Sequence, residues 1–188
     1  MIPKSAPYVW QETIWDSLAE ALQKHSLPHA LLLDGEKQIG KTDFTRAFAK
    51  LILCKSRADN FPCDACQSCS MMNAGTHPDK IEMVSVEDHA SIKVDDIRLL
   101  SNFSQQSSHS GAARIAIIPE AHRMNLSASN ALLKTLEEPR DHVFIILTSS
   151  EPGRLSATIR SRVQRIKMLM PSFEEIKEVR VLCLFAED

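Results

Sequence analysis

Glycine is scarce in this chain. There are 5 in 188 residues, under half of the roughly 7% found in ordinary proteins. Charge of one sign is missing too: Lys+Arg 22 against Asp+Glu 24 leaves a net −2, which disfavours autonomous DNA binding by phosphate neutralisation. No apolar run approaches the ~20 residues that cross a bilayer, so no membrane partner is expected. The opening MIPKSAPYVWQETIW has no apolar core of a secretory signal. Internal repeats, low-complexity tracts and long linkers are absent as well. Hydrophobic residues at 44% and charged residues at 24% give ordinary globular composition with enough chain for one full core. Five cysteines without an export signal point to a reducing, cytoplasmic setting, where clustered thiols hold metal more often than they pair.

Against that background the hydrophobic periodicity is clear. Residues 10–24 predict an amphipathic helix with Ile14, Leu18, Ala21 and Leu22 on one face. HALLLD (29–34) is a short continuous apolar run, the pattern of a buried parallel strand. From Lys41 the spacing of Phe44, Ala47, Phe48 and Leu51 predicts a second helix. Further strands are expected at 80–86, 113–119 and 142–149, with helices at 92–106 and 127–138, the latter stopped by Pro139. Alternating short strands and helices predict an α/β domain with a central parallel sheet. One stretch, 54–78, interrupts the alternation and holds most of the cysteines.

Between the first strand and the helix from Lys41, Gly35 to Thr42 (GEKQIGKT) matches G-x-x-x-x-G-K-[ST] in full. Glycines at both ends let successive N–H groups turn inward as an anion nest, and the helix N-terminus adds its positive dipole end. Lys41 is the residue to reach the outer phosphates and Thr42 the hydroxyl to ligate Mg²⁺, so ATP with Mg²⁺ is the expected ligand. Hydrolysis also needs a metal-holding carboxylate at a neighbouring strand end and, in this class, a glutamate that orients water. The strand end Ile117-Ile118-Pro119-Glu120 offers Pro119 where the first belongs. Glu120 either orients water, takes the metal role, or merely solvates a strand end. A catalytically impaired site is the expectation.

Cys54, Cys63, Cys66 and Cys69 are spaced C-x8-C-x2-C-x2-C. Four thiolates complete a closed tetrahedral site, so a structural zinc is expected over an iron–sulfur cluster or four unrelated buried thiols. Cys183, alone in VLCLF, reads as a small buried hydrophobe, and His77 as a cap on its turn or else a spare ligand. Near the end, EPGRLSATIRSRVQRIK (151–167) reads either as a solvated basic face or as an arginine presented at a subunit edge. A helix at 151–160 and an apolar strand at 166–170 are expected to flank Arg162 and display it at the domain edge.

These motifs, with AGTHPD (74–79), IKVDDIR (92–98), NALLKTLEEP (130–139) and TIRSRV (158–163), make the chain resemble the clamp-loader subunits of bacterial DNA polymerase III, which are AAA+ proteins. Pro119-Glu120, in place of the aspartate–glutamate pair of the hydrolysing γ/τ members, and the WQETIW start resemble the often silent δ′ type. The resemblance implies Arg162 as an arginine finger acting in trans, Thr148 or Ser149 as a polar sensor, and the four cysteines as zinc ligands. It implies γ/τ and δ subunits as hetero-oligomer partners, with a sliding clamp and primed DNA engaged through the assembly. An AAA+ nucleotide-binding-like domain is expected over 1–167, carrying a zinc-binding insertion at 54–77, with 168–188 opening an incomplete helical lid and no collar. The expected function is that of a δ′-like subunit that binds nucleotide weakly or without hydrolysis. The alternatives are a γ/τ-like ATPase, in which Glu120 serves, and a zinc-containing nucleic-acid-binding module.

Overall fold

Residues 7–83, 91–109 and 113–177 are described by the structure, a computed structural model. They fall into two compact units, one drawn from 7–27, 35–75 and 168–177, the other from 28–34, 76–83, 91–109 and 113–167.

The second unit holds the sheet. Its strands are β1 (Ala30–Asp34), β2 (Lys80–Glu82), β3 (Arg114–Ile118), β4 (Val143–Ser149) and β5 (Gln164–Lys167), all parallel, in the order β2-β3-β4-β1-β5. β1 and β3 are buried at every position, which is why they read as unbroken apolar runs rather than alternating ones. Alternate residues from three neighbouring strands (Leu32, Ala116, Ile118 and Leu147 among them) share a core with α4 (Val94–Gln105) and α5 (Leu126–Glu137). Ile97 and Leu100 supply the apolar stripe of α4, and Ala128, Leu132 and Leu136, at helical spacing, that of α5. Asn125 caps α5, its side chain accepting the Ala128 N–H at 2.8 Å. At the other end Pro139 follows a residue already off helical geometry, Glu138 at φ −119, ψ 64.

The expected 166–170 strand is corrected. β5 is a polar edge strand, and its register against Leu31–Asp34 fixes it at Gln164–Lys167. An edge strand buries little, so the apolar Leu169 and Met170 beyond it are exposed rather than paired. The single helix at 151–160 is corrected too: a 3-10 turn at Pro152–Arg154 and the short α6 (Ala157–Arg160) are separated at Leu155-Ser156, with Ser156 capping the latter. Of the strand expected at 80–86, Lys80–Glu82 form β2, and 84–86 lie outside the described residues, as does Cys183.

The first unit contains α1 (Glu12–Gln23), α2 (Lys41–Leu53) and α3 (Gln67–Ala74). α1 buries Trp15, Leu18, Ala19 and Leu22, so its inward face is rotated from the expected one and Ile14 sits only half-buried. Trp15 decides the rotation. Its ring meets Phe44 and Phe48 edge-on, each at 5.6 Å, and stacks on Phe61 at 5.7 Å, while the indole N–H donates to the Asn60 carbonyl at 3.0 Å. Burying the largest ring outweighs centring the stripe on an isoleucine. No helix among the described residues is long and apolar enough to cross a membrane.

Candidate functional site

β1 ends at Asp34, and the next residue, Gly35, opens the phosphate loop. Asp34 is itself buried and held by Arg165 of β5, whose Nε donates at 2.6 Å. A Cβ on Gly35 would lie 2.6 Å from the Met168 carbonyl oxygen, so no larger residue fits there. Gly40 caps α2 at φ 82 and Gln38 stands at φ 63, a strained left-handed position for a non-glycine residue. Left-handed residues within such a loop turn backbone N–H groups to one side and build an anion nest. Lys41 is buried, its ammonium donating to the carbonyls of Gly35 at 2.9 Å and of Glu36. Thr42 is exposed at the first turn of α2.

At the other end of the motif set, β3 stops at Ile118, and Pro119 leads into Glu120 at φ 48, ψ 46. The Glu120 N–H donates to the Thr148 hydroxyl at 3.1 Å. Ser150 donates to its carboxylate at 3.4 Å, and His122 Nε2 faces the same oxygen at 3.4 Å. His122 is buried, its Nδ1 lies 3.1 Å from the Ser149 hydroxyl, and Nε2 lies 3.6 Å from Glu151. Of the two sensor candidates, Thr148 is therefore tied to Glu120 and Ser149 to His122. Nothing in the sequence reading singled out His122. Its signal was its place two residues after the only acid at that strand end.

Arg162 is partly exposed, its side chain at 34%. Its Nη2 pairs with Glu137 at 2.7 Å and Nη1 donates to the Thr158 carbonyl at 3.0 Å. Arg154 pairs with Glu151 and Arg165 with Asp34. The stretch 151–167 is thus laced by ion pairs rather than a uniformly solvated basic face.

The four cysteines come together in the first unit, their sulfurs all within 4.8 Å of one another. Cys54 Sγ lies 3.5 Å from Cys63 Sγ and 4.0 Å from Cys66 Sγ, bracketing the ~3.8 Å that four Zn–S bonds of about 2.3 Å impose in a tetrahedron. Backbone N–H groups are aimed at the sulfurs: Cys63 to Cys54 at 3.3 Å, Cys66 to Cys63 at 3.3 Å, Cys69 to Cys66 at 3.5 Å. Such donors favour thiolate. Burial pushes the Cys66 thiol up, but it caps α3, and the N–H groups of Cys69 and Lys55 with the neighbouring thiols bring it to about 6. N–H groups of Ala65 and Cys66 lower Cys63, whereas burial raises Cys54 and Cys69. The donor set fits Zn²⁺. The surrounding loop is pinned to α2: Arg57 donates to the Leu51 and Ile52 carbonyls, Ser68 to Leu53, and the buried Lys50 to Asp64 and Asn73. His77 accepts the Asp79 N–H on Nδ1 at 3.1 Å, the turn cap the sequence suggested.

A five-stranded parallel sheet of this order, flanked by helices and with its strand β1 leading into a complete phosphate loop, defines a P-loop domain of the AAA+ type. The family model described as DNA polymerase III, delta subunit, matches residues 10–172, and the chain belongs to this clamp-loader family, of the delta′/tau/gamma type. It is 38% identical over 155 residues to DNA polymerase III subunit delta′ of Pseudomonas aeruginosa, covering 82% of this chain and 46% of that one. It is 36% identical over 157 residues to subunit tau of Bacillus subtilis, covering 84% and 27%. The delta′ subunit of Escherichia coli is 32% identical over 89% of this chain and 50% of its own. The chain spans about half the length of these delta′ relatives. In fold it is similar to a DNA polymerase III gamma subunit-related protein of Thermotoga maritima (TM-score 0.58, 20% identity, 87% and 48% covered). It is also similar to the RuvB Holliday junction branch migration motor of the same organism (TM-score 0.59, 18% identity, 98% and 54% covered).

Proposed function

We propose that the chain acts as a δ′-like subunit of the DNA polymerase III clamp loader. In this reading it joins γ/τ and δ subunits in a cytoplasmic hetero-oligomer that loads a sliding clamp onto primed DNA. One observation carries it beyond the family: the phosphate loop is complete, yet Pro119 stands where the metal-holding carboxylate of a hydrolysing subunit belongs. Bound ATP with Mg²⁺ would supply the charge that orders the loop. Gly35 and Gly40 would shape the cradle, Lys41 would exchange the loop carbonyls for the outer phosphates, and Thr42 would ligate the cation. Thr148 senses the state of the strand end through Glu120, whose own carboxylate is a doubtful catalytic group. Cys54, Cys63, Cys66 and Cys69 hold a structural Zn²⁺ in an insertion at 54–77 of an AAA+ domain spanning 1–167, and 168–188 begin a lid. Arg162 is offered in trans to a neighbour's phosphate.

The test is reconstitution with γ/τ and δ subunits, read by native mass, ATPase and clamp loading on primed DNA. Incorporation of the chain with no turnover by the chain alone is expected. Failure to assemble overturns the reading. The full phosphate loop and the identity to tau favour one second reading, a γ/τ-like ATPase using Glu120. Turnover by the isolated chain that is lost in Glu120→Gln would select it.

A further inference from the structure

The nucleotide-binding reading above leaves unexplained why the chain places an aromatic, amide-bearing segment against its phosphate loop. Gln11 is 1% exposed, and both ends of its amide are engaged: Oε1 accepts the Tyr8 N–H at 3.1 Å and Nε2 donates to the Ile39 carbonyl at 2.9 Å. The Trp10 indole N–H donates to the same carbonyl at 3.2 Å. Tyr8 stacks on Trp10 with ring centroids 4.7 Å apart and 3° between planes, and its hydroxyl donates to Asp43 in the first turn of α2 at 3.0 Å. A Cβ on Gly40 would collide with the Tyr8 ring and reach 3.0 Å from Gln11 Nε2. The segment 8–11 therefore grips the loop at the Ile39–Gly40 peptide.

That peptide is planar and trans, so its C=O and N–H point in opposite directions. Two donors holding the Ile39 oxygen on the side of Trp10 and Gln11 necessarily turn the Gly40 N–H to the other side. A flip of the same peptide, which glycine at position 40 tolerates sterically, would put a carbonyl oxygen where an anion needs a donor. We propose that Trp10 and Gln11 are positioning residues for the phosphate loop, locking the Ile39–Gly40 peptide so that the Gly40 N–H faces a bound phosphate. They touch no phosphate themselves. Their effect is on the fraction of loops in the binding-competent shape, and apparent affinity scales with that fraction. The inference rests on the nucleotide-binding reading for its consequence, but its geometry can be measured without nucleotide.

The experiment compares the full chain with Trp10→Phe, Gln11→Met and the double variant, each first confirmed folded by melting temperature. In the free protein, the Ile39 carbonyl carbon and Gly40 amide shifts are recorded by NMR. Calorimetric titration with Mg-ATP and with inorganic pyrophosphate follows. The expected result is a moved Ile39 carbonyl resonance in each single variant and a larger move in the double. Mg-ATP and pyrophosphate should bind the double variant about five- to a hundred-and-fiftyfold more weakly, the loss of two ordinary hydrogen bonds. An Ile39 resonance unchanged in the double variant overturns the lock. A moved resonance with equal or tighter anion binding overturns the positioning role and makes the segment a bystander or a block. If the wild-type chain binds neither probe, with Lys41→Ala indistinguishable from it, the nucleotide reading fails. The lock then stands or falls on the two NMR shifts. Should Gln11→Met melt, Trp10→Phe alone, at the half-buried position, decides between these outcomes.

Discussion

The phosphate loop and the end of β3, each taken within its own unit, use their hydrogen-bonding groups differently. In the loop, carbonyls are held by Lys41 from within and by Trp10 and Gln11 from outside, and left-handed residues turn N–H groups to one side. At the end of β3 the polar groups answer one another: the Glu120 N–H goes to Thr148, and the Glu120 carboxylate faces Ser150 and His122. Pro119 contributes neither a carboxylate nor an N–H. Anion binding is built from backbone shape, which tolerates many side chains, whereas hydrolysis hangs on a carboxylate at one position. A chain can keep the first and lose the second.

The largest expected effect tests whether the loop's unit survives damage elsewhere within it. Cys66→Ser should remove the one equivalent of zinc expected per chain, because a complete thiolate site binds with an apparent ~10–16 kcal/mol that three thiolates cannot match. Metal analysis and hydrogen exchange should show residues 54–77 loosened and the sheet amides still protected. Exchange spreading through β1, β3 and β4 would contradict it. Next comes the proposed contribution of Arg162 to a neighbour's site. Arg162→Ala should lower hydrolysis at one site of the assembled complex by about 10³–10⁵, with assembly intact. Lysine should rescue poorly, since a point charge lacks the planar fork. Because only one site of several is affected, single-turnover measurements read it best, and unchanged hydrolysis returns Arg162 to its ion pair with Glu137. Lys41→Ala should weaken Mg-ATP binding about a hundredfold, the scale of a lost charge-assisted contact, with melting temperature held. The smallest effect sharpens the contrast most. Pro119→Ala should change neither binding nor turnover by more than about twofold, because alanine restores an N–H but no carboxylate. A tenfold gain in turnover would mean Pro119 blocks a competent site.

Much of this was legible from residue order alone, for identifiable reasons. Parallel strands buried at every position, or at all but one as in β4, leave continuous apolar runs, so β1, β3 and β4 announced themselves, and the loop and the cysteine spacing are local patterns. What failed to show was set by partners distant in sequence. β5 is strand by virtue of pairing with Leu31–Asp34, and of its own residues, Gln164 to Lys167, only Ile166 is apolar. The face of α1 turned because Phe44, Phe48 and Phe61 converge on Trp15. The ion pair of Arg162 joins residues 25 positions apart in the chain, and Gln11 reaches Ile39 across 28. No periodicity encodes such contacts.

Whether this chain holds nucleotide without hydrolysing it, as proposed, is decided on one sample measured two ways. Zinc-replete wild-type chain is titrated with Mg-ATP by calorimetry, and the same preparation is followed for phosphate release, with Lys41→Ala in parallel. Saturable binding that depends on Lys41 is expected, together with turnover far below the ~1–100 s⁻¹ of active phosphoryl-transfer enzymes. Turnover within that range, or binding absent or left unweakened by Lys41→Ala, would contradict it.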